Sequence, residues 1–529
     1  MTIDVATSDG MPMITARRNL LAAASCTVLY AAHRRKRAIC EGAELRRAPS
    51  DASARATRAT SLLRLAEQEA AEAAAALAAE TAAQTADAPS DVLVVGGGIV
   101  GASVAFHAAR LGARVTLLEK ASCGCEASGL SAGTLYDVGV PERVDASSAA
   151  LYLRAGSASI LEALGGCEFN RCGALDVAAT PPEVKLLRQD FEAARSAGLQ
   201  CSWHEAAEVH ALEPALAGGS ALAAVHTPRS GSVQPGLATL AFVEGAVAAG
   251  CAVREGAEVV SLRRTEAGLY EALTSDGDRL LAKQVVLAAG AWSAKVARSV
   301  GVHVPCVPVK GVVATLPAEP NALSKVIFDM ESRACFAAEG DGRDDEMPAK
   351  CTHDRRGERR CRKLYGKQCG EADNHQLLFG GDRLLPDSDS DYAVPSASRL
   401  SVREHVLELL PKFRDFGPAR AVEAGGGEWA GLMPFAHDGK PIVGELSRLG
   451  LDGLWLCCGF GPAGIMEGPK AAQVLAELVV EDVLHTTPRP RTRVAMADAE
   501  SGGDDARWAR VAMAWMDPCR AGCCVASEV

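Results

Sequence analysis

A strand, a glycine-rich turn and a helix follow one another near residue 90, and this run constrains the fold more than any other part of the chain. Val92–Val95 is a short apolar run, as expected for a strand that is buried on both faces. Gly96, Gly98 and Gly101 then give a GxGxxG pattern at the start of a predicted helix. A second predicted strand follows this helix and ends at Glu119. This order predicts a βαβ unit that binds a dinucleotide.

Each part of the predicted unit has a physical role. Gly96 permits a tight turn, Gly98 lets the backbone approach a pyrophosphate, and Gly101 allows the helix to pack closely on the sheet. The start of the helix offers free N–H groups and about half a positive charge to phosphates. Glu119 is expected to accept a hydrogen bond from a ribose hydroxyl and to repel a 2′-phosphate, which disfavours NADP. The residues predicted to contact the dinucleotide here are Gly96, Gly98, Ile99, Val100, Gly101, Glu119 and Lys120.

The composition of the chain disfavours nucleic acid as a partner, a disulfide framework and a structural metal site. Its 529 residues carry a formal net charge of −11, which disfavours nucleic acid as the main partner because phosphate binding needs a surplus of Lys and Arg. Most of its 18 cysteines stand singly in apolar stretches, which favours buried thiols over a disulfide framework. The denser groups at 123–125, 351–369 and 519–524 lack the paired CxxC spacing of structural zinc sites, so no metal site is predicted.

Residues 1–88 are predicted to form an extension that precedes the folded domains and contains an Ala-rich helix at 62–80. Its basic, acid-poor start predicts a transit peptide for a mitochondrion or plastid. The apolar run 20–32 is shorter than the roughly 20 residues of a membrane span, so membrane anchoring through it is disfavoured. A signal anchor at this run, or a disordered extension of a cytoplasmic protein, remain the alternatives.

From residue 89 the sequence has the pattern of an α/β protein. The stretch 341–374 is strongly charged and is predicted as a surface insertion, since long charged loops cannot be buried. Residues 485–529 form a predicted C-terminal tail without a clear core pattern. The other predicted helices and strands are a helix at 235–249, strands at 251–254, 258–262 and 284–288, and a last helix at 469–484.

Motifs further along the chain extend the argument beyond the dinucleotide unit. They are Ser128–Gly133, Gln234–Gly236, Val285–Ser293, Trp429–Pro434, Asp438–Gly444 and Gly459–Ile465. In this order they resemble the D-amino-acid oxidase superfamily of flavoproteins, which includes glycine oxidase and the sarcosine and dimethylglycine dehydrogenases. The resemblance covers roughly residues 90–484 and favours FAD over NAD as the cofactor.

The resemblance implies an α/β fold, α+β overall, with two interleaved domains. A discontinuous Rossmann-like FAD-binding domain would comprise 89–150, 225–310 and 420–484. A substrate domain built on an antiparallel sheet would comprise 151–224 and 311–419. The resemblance also places Ser128 and Gly129 along the pyrophosphate and ribityl chain, the Val259 backbone at the adenine, and Gly290 in a second glycine-ended strand beside FAD.

The turn Gly459–Ile465 has a role that follows from charge. A reduced flavin carries negative charge at its pyrimidine edge. Backbone N–H groups near Gly461, Gly464 and Ile465, at the start of a helix, are expected to face and stabilise that charge.

The chain departs from the superfamily at Met433. Amino-acid oxidases of this group have an Arg there that clamps the substrate carboxylate in a bidentate pair, a task that Met cannot perform. Lys440 and Arg383 are candidate substitutes for this clamp, although a solvated surface charge is the simpler interpretation of each. No catalytic acid or base is assigned, since His437 is better interpreted as a loop histidine, and direct hydride transfer from the amine to the flavin needs none.

The sequence therefore predicts an FAD-dependent oxidoreductase that oxidises a C–N bond of a small-molecule amine or N-alkyl amino acid. An FAD-binding assembly or scaffold protein of the same fold is one alternative, motivated by Met433. An NAD-dependent dehydrogenase is the other. The electron acceptor stays open among oxygen, a quinone and a carrier flavoprotein.

Overall fold

The structure is a computed structural model of the whole chain, and it describes residues 88–136, 149–196, 198–329, 362–369, 375–413, 427–484, 512–514, 516–520 and 523–526. The predicted N-terminal extension, apart from its last residue, lies outside these ranges. So does the first part of the predicted charged insertion, residues 341–361.

The described helices and strands alternate along most of the chain. The α-helices are α1 (Ile99–Arg110), α2 (Ala149–Leu164), α3 (Pro181–Ser196), α4 (Ala206–Leu212), α5 (Pro235–Ala248), α6 (Ser293–Ala297), α7 (Ser396–Leu409) and α8 (Gly464–Leu484). The strands are β1 (Ser90–Val95), β2 (Val115–Leu118), β3 (Thr134–Leu135), β4 (Ala174–Ala178), β5 (Ser202–Glu205), β6 (Ala223–Thr227), β7 (Gly231–Ser232), β8 (Ala252–Arg254), β9 (Val259–Arg264), β10 (Tyr270–Thr274), β11 (Arg279–Leu287), β12 (Val302–His303), β13 (Cys306–Pro317), β14 (Val326–Asp329), β15 (Arg362–Cys369), β16 (Gln376–Leu384), β17 (Glu428–Ala436), β18 (Ile442–Leu446), β19 (Leu451–Cys458) and β20 (Val525–Ala526). Short 3₁₀ turns lie at Pro214–Leu216, Gly290–Trp292, Arg298–Val300, Pro411–Phe413, Ser447–Leu449 and Gly461–Ala463.

The first sheet carries the predicted βαβ unit at its centre. Its strand order is β18-β19-β11-β1-β2-β8, and β10 and β9 extend from β11. β1 pairs in parallel with β2 and with β11, and the β2–β8 and β11–β19 pairs are also parallel. Val92 and Val94 face a core that includes residues of α1, α5 and α8, while Leu93 and Val95 face a second core on the other side. Burial on both faces explains why β1 is a continuous apolar run.

The second sheet is mainly antiparallel and lies between pieces of the first in the sequence. Its order is β17-β13-β16-β15-β14-β4-β6-β5, and all neighbours are antiparallel except β4 and β14. β13 is the longest described strand, and it pairs with β16 on one side and with β17 on the other. The α/β fold class with an antiparallel second sheet is therefore confirmed.

Strands of the two sheets alternate along the chain. The first sheet takes its strands from three separate stretches, 90–118, 252–287 and 442–458. β17 lies inside the piece 420–484 that the resemblance assigns to the FAD-binding domain, yet it belongs to the second sheet. The domain boundaries themselves stay predictions.

The last helix begins earlier than predicted. α8 starts at Gly464, so Pro469 lies inside the helix instead of near its start. The prediction used proline as a marker of the helix N-terminus, since proline is tolerated in the first turn and rare beyond it.

The prediction of a charged surface loop across 341–374 was wrong for residues 362–369. These residues form β15, which pairs with β14 and β16 inside the second sheet. Gly366 and Lys367 are buried there. The charged residues around this strand concealed its pattern.

The prediction of a C-terminal tail without a core pattern was wrong for its described residues. Ala512 and Met516 belong to the core that contains α8, and Cys523 and Cys524 belong to the core on the other face of the first sheet. β20 pairs with β12, more than 200 residues earlier in the chain. Such a short strand is stabilised by a distant partner and not by its own sequence pattern.

In the part of the chain that the structure describes, no helix is long and apolar enough to cross a membrane. The cysteines described there are free thiols.

Candidate active site

The glycine-rich turn lies between the carboxyl end of β1 and the start of α1. Gly96 has a φ of 109°, a conformation that residues with a side chain rarely adopt, and a Cβ there would lie 2.5 Å from the Ala288 carbonyl oxygen. A Cβ at Gly101 would overlap with the Gly96 carbonyl oxygen. Gly101 thus allows α1 to approach the turn closely, as predicted.

Ser128 lies at the start of α1 although it is far from it in the sequence. Its hydroxyl oxygen accepts a hydrogen bond from the Ile99 N–H at 2.9 Å. This contact satisfies one of the N–H groups that a helix leaves free at its first turn. It joins the segment after β2 to the predicted pyrophosphate-binding turn.

Glu119 is buried at the carboxyl end of β2, and two backbone groups fix its carboxylate. The Gly97 N–H donates to Oε2 at 2.7 Å, and the Ala121 N–H donates to Oε1 at 2.9 Å. Burial raises the pKa of this carboxyl group, although both hydrogen bonds act in the opposite direction. The carboxylate is held beside the turn with lone pairs left to accept from a hydroxyl group.

A cleft lined by residues of both sheets brings most of the predicted site residues together. Those that line it are Gly96, Gly98, Ile99, Val100, Glu119, Lys120, Ser128, Val259, Gly290, Met433, Gly461, Gly464 and Ile465. Gly101 and Gly129 are not among the lining residues. A Cβ at Gly129 would overlap with the Gly124 carbonyl oxygen, so its place in the fold is explained by close packing.

The first sheet and the helices packed on it contribute lining residues from β9 and from the start of α8. Val259 lies at the start of β9 and lines the cleft, as does Lys120, whose Nζ is 3.4 Å from the centroid of the Trp292 ring. Gly461 and Gly464 also line the cleft, at the point where α8 begins. Two helices, α1 and α8, therefore start at the cleft and present the positive ends of their dipoles to it.

The second sheet contributes a wall that the sequence interpretation largely missed. Tyr365 on β15, Phe328 on β14 and Gly311 on β13 line the cleft together with Arg383 and Met433. Tyr365 is partly buried, and this burial raises the pKa of its phenol, which therefore stays protonated. Tyr365 was missed because it lies in a charged stretch, where β15 was not recognised.

Lys440 does not line the cleft, and its prediction as a substrate residue is not supported by this position. Its backbone carbonyl accepts from Arg520, and its N–H donates to Asp438 Oδ1 at 3.2 Å. The loop from Asp438 is thus held against the C-terminal segment. His437 is exposed beside it and also lies outside the cleft.

Comparison with known proteins identifies the family and its cofactor. The sequence profile of the FAD dependent oxidoreductase family matches residues 91–478. The chain belongs to this family. Its cofactor is therefore FAD, and the NAD-dependent alternative is wrong.

Three relatives show how far the similarity extends. The glycine oxidase of Geobacillus kaustophilus is 26% identical over 398 residues, which cover 74% of this chain and 92% of the relative. The mitochondrial dimethylglycine dehydrogenase of Rattus norvegicus is 29% identical over 414 residues, covering 74% of this chain. The formaldehyde-forming 4-methylaminobutanoate oxidase of Paenarthrobacter nicotinovorans is 26% identical over 407 residues, covering 73%. The matched part of the chain spans only 43% of the length of each of these last two.

The crystal structure of the Geobacillus kaustophilus glycine oxidase has the same fold as this FAD-dependent oxidoreductase. The TM-score is 0.60 at 24% identity, and the match covers 74% of this chain and 95% of that one. The family match over residues 91–478 confirms the superfamily resemblance drawn from the motifs.

The residues present fit FAD. The turn at Gly96 and Gly98 leaves room for a backbone approach, two helices begin at the cleft, and Glu119 offers a fixed carboxylate. Which of the lining residues contact FAD stays a prediction.

Proposed function

We propose that this enzyme oxidises a C–N bond of an amine or N-alkyl amino acid by hydride transfer to FAD, after which water hydrolyses the imine. The observation that carries the proposal is the continuity of the cleft. It runs from the dinucleotide turn at Gly96, past the start of α8, to the wall of the second sheet at Tyr365. Relatives named for glycine, dimethylglycine and 4-methylaminobutanoate support an amine substrate.

Different residues of the chain are assigned different roles toward FAD. In this proposal the α1 start and the turn at Gly96 hold the pyrophosphate, and Glu119 accepts a hydrogen bond from the ribose. Bound FAD supplies a two-electron acceptor. The backbone N–H groups of Gly461, Gly464 and Ile465 would stabilise negative charge at that part of the cleft, which favours electron acceptance.

The wall of the second sheet positions the substrate and excludes water. Tyr365 and Phe328 supply aromatic surface, and Met433 supplies a flexible thioether. The Tyr365 phenol on this wall is protonated, so it can donate a hydrogen bond but cannot serve as a base. This arrangement suits a reaction in which the amine gives up a hydride without a separate proton-abstracting residue.

The test is anaerobic reduction of the purified holoenzyme by candidate amines. Glycine, dimethylglycine, 4-methylaminobutanoate and proline are each mixed with the enzyme, and the visible absorption of oxidised FAD is followed. We expect at least one N-alkyl amino acid to bleach the flavin. A holoenzyme that none of a broad amine panel reduces would contradict the proposal and would favour the scaffold alternative.

The same sample identifies the electron acceptor. Readmission of oxygen to the reduced enzyme, with detection of hydrogen peroxide, separates an oxidase from a dehydrogenase. Slow reoxidation by oxygen and fast reoxidation by a quinone or by a carrier flavoprotein would identify a dehydrogenase.

We also propose an organelle location, in a mitochondrion or plastid. The basic, acid-poor start of the chain supports it, as does the mitochondrial designation of the dimethylglycine dehydrogenase relatives. Fusion of residues 1–88 to a fluorescent protein tests it, and diffuse cytoplasmic fluorescence would contradict it.

A further inference from the structure

We propose that Cys523 and Cys524 form a reversible oxidation site, at which hydrogen peroxide converts the two thiols into a disulfide. The proposal goes beyond the flavin reaction and does not depend on it. The family match ends at residue 478, so the segment that carries both cysteines lies outside the matched part of the chain. The proposal rests on the distance between the two sulfur atoms, on a fixed arginine beside them, and on the backbone around them.

The two thiols are neighbours both in the chain and in space. Their sulfur atoms lie 4.0 Å apart, within the distance of a thiol hydrogen bond. Both side chains are buried in the core on one face of the first sheet, which also contains Cys306 and Cys458. A bond between the two sulfur atoms therefore requires a local rearrangement and no movement of another helix or strand.

The groups around the pair make the two thiols unequal. A hydrogen bond from Cys524 and the charge of Arg520 hold the pKa of Cys523 below its usual value. Burial and the Asp438 carboxylate act in the opposite direction and are outweighed. The pKa of Cys524 is raised by its hydrogen bond to Cys523 and by burial, so Cys524 keeps its proton. Because the thiolate is the nucleophilic form of cysteine, the pair combines an attacking thiolate with a protonated partner.

Arg520 is held beside the pair by several hydrogen bonds. Its Nε donates to Asp438 Oδ2 at 2.7 Å, and its Nη1 donates to the Met516 and Asp517 carbonyl oxygens. The Arg520 carbonyl oxygen accepts from the Cys523 N–H at 3.0 Å, which closes a turn between the two residues. These bonds fix the guanidinium, so its charge stays near the Cys523 sulfur.

The depth of the pair favours a small oxidant. Cys523 is 4% exposed and Cys524 is 6% exposed. The neighbouring Val525 is 51% exposed and Arg520 is half-buried, so the pair lies just below the surface. Hydrogen peroxide is small and neutral and can reach the sulfur through fast side-chain fluctuations, whereas bulky thiol reagents are excluded.

The oxidation proceeds in two steps. The Cys523 thiolate attacks one oxygen of the peroxide, the O–O bond breaks, and a sulfenic acid and hydroxide form. The Cys524 sulfur then displaces the hydroxyl group of the sulfenic acid, and this group leaves as water with the Cys524 proton as the S–S bond forms. The hydroxide of the first step takes up the proton that Cys523 had released. In total, two thiols are oxidised by two electrons and one peroxide is reduced to two waters.

Strain makes a disulfide between adjacent cysteines reversible. Neighbouring Cα atoms lie about 3.8 Å apart across a trans peptide bond, whereas disulfides usually span at least about 4.4 Å. Strained disulfides have higher reduction potentials and are reduced easily by other thiols. Ring closure also reorients the backbone at Cys524, whose N–H donates to the Pro518 carbonyl oxygen at 2.9 Å and which directly precedes β20. We therefore expect oxidation to loosen the pairing of β20 with β12.

The test treats the purified holoenzyme with hydrogen peroxide, blocks the remaining thiols with N-ethylmaleimide under denaturing conditions, and digests the protein with trypsin. Cleavage after Arg520 yields the peptide 521–529, whose only cysteines are Cys523 and Cys524. We expect this peptide to be lighter by two hydrogen atoms and to carry no maleimide. Reduction with dithiothreitol before blocking should give the doubly labelled peptide, as should omission of peroxide.

Two variants and one internal comparison separate the roles of the thiols. In Cys524→Ser the hydroxyl can still donate a hydrogen bond but cannot form a disulfide, so we expect Cys523 to stop at the sulfenic acid, which dimedone labels. In Cys523→Ser we expect neither product at the peroxide concentration that oxidises the wild type. Cys201 is a half-buried cysteine that packs against a different core, and we expect it to react at least about tenfold more slowly than Cys523 at pH 7. Cys201→Ser is the matched control and should leave the oxidation of the pair unchanged.

Three outcomes would overturn the proposal. The first is a wild-type peptide 521–529 that keeps both thiols under conditions that oxidise Cys201. The second is a disulfide that joins this peptide to the one containing Cys458, since the partner thiol would then lie in the core beneath. The third is oxidation that dithiothreitol does not reverse. Hydrogen exchange at β12 should rise on oxidation and return on reduction, and if a serine variant fails to fold, the peptide masses of the wild type decide.

Discussion

Arg520 and Asp438 form a bidentate ion pair that joins the C-terminal segment to the loop after β17. The two nitrogen–oxygen distances are 2.7 Å and 2.8 Å, and the same guanidinium donates to the Lys440 and Pro441 carbonyl oxygens. Burial alone would raise the pKa of Asp438, but the hydrogen bond and the charge of Arg520 outweigh it and hold the pKa below its usual value. The pair fixes the end of the strand that carries Met433.

Arg520→Ala should destabilise the protein by about 2–4 kcal/mol, because it leaves a half-buried carboxylate and several carbonyl oxygens without their donor. Limited proteolysis and Tm measure the effect, and we expect early cleavage in the C-terminal segment. Arg448→Ala is the control, since its pair with Asp517 is solvent-exposed and should contribute less than about 1 kcal/mol. Equal Tm losses in the two variants would contradict the prediction.

Gly101→Ala should abolish FAD retention. A Cβ at this position overlaps with the Gly96 carbonyl oxygen, so α1 must move away from the turn that is expected to receive the pyrophosphate. The ratio of FAD absorbance to protein absorbance after purification measures the effect. Gly427→Ala is the control, because a Cβ there meets its nearest neighbour, Thr315 Oγ1, at an ordinary 3.8 Å. A Gly101→Ala protein with full FAD content would rule out this role for the helix packing.

Glu119→Gln should raise the dissociation constant for FAD about tenfold. Both carboxylate oxygens accept from backbone N–H groups, of Gly97 and Ala121, and an amide can accept from only one of them. Titration of the apoprotein with FAD, followed by fluorescence quenching, gives the constant. Glu266→Gln removes the same charge from an exposed turn and should leave it unchanged. An unaltered constant in Glu119→Gln would argue against a role in cofactor binding.

Lys367 should make stability rise with pH. Burial lowers the pKa of its ammonium from 10.5 to about 8, although its Nζ donates to the Val233 carbonyl oxygen at 2.8 Å. Because the folded-state pKa lies below the unfolded value, the unfolded chain binds more protons between pH 8 and 10.5, and the contribution to stability grows across that window. A shift of this size corresponds to about 3 kcal/mol.

The prediction for Lys367→Met is therefore a higher Tm than the wild type at pH 7, with a difference that shrinks as the pH rises from 8 toward 10.5. Scanning calorimetry of both proteins across this range measures it. Lys412→Met, at an exposed position, controls for the loss of a lysine charge. A difference that stays constant with pH would show that Lys367 does not titrate in this window.

The sequence predicted the βαβ unit well because that unit is built from neighbours in the chain. β1, the turn from Gly96 and the start of α1 are local, and each glycine there has a steric reason that can be read one residue at a time. The position of Glu119 beside the turn could be predicted from the lengths of one helix and one strand alone. Physical constraints of this kind are visible without the tertiary structure.

The substrate end could not be predicted in the same way. Tyr365, Arg383 and Met433 come from β15, β16 and β17, and only the register of the second sheet brings them to one wall. Nothing in the sequence near Arg383 distinguishes it from a solvated surface charge. Lys440, equally plausible from the sequence, is held elsewhere by Arg520.

The sequence by itself determined the βαβ unit, the family and the FAD cofactor, because these depend on short-range sterics and on the order of motifs. The tertiary structure decided which cation faces the cleft, that residues 362–369 form a buried strand, and that the C-terminal segment packs into both cores. Those outcomes depend on strand pairing between segments separated by tens to hundreds of residues. Such pairing is set by the packing of the whole chain and not by any local pattern.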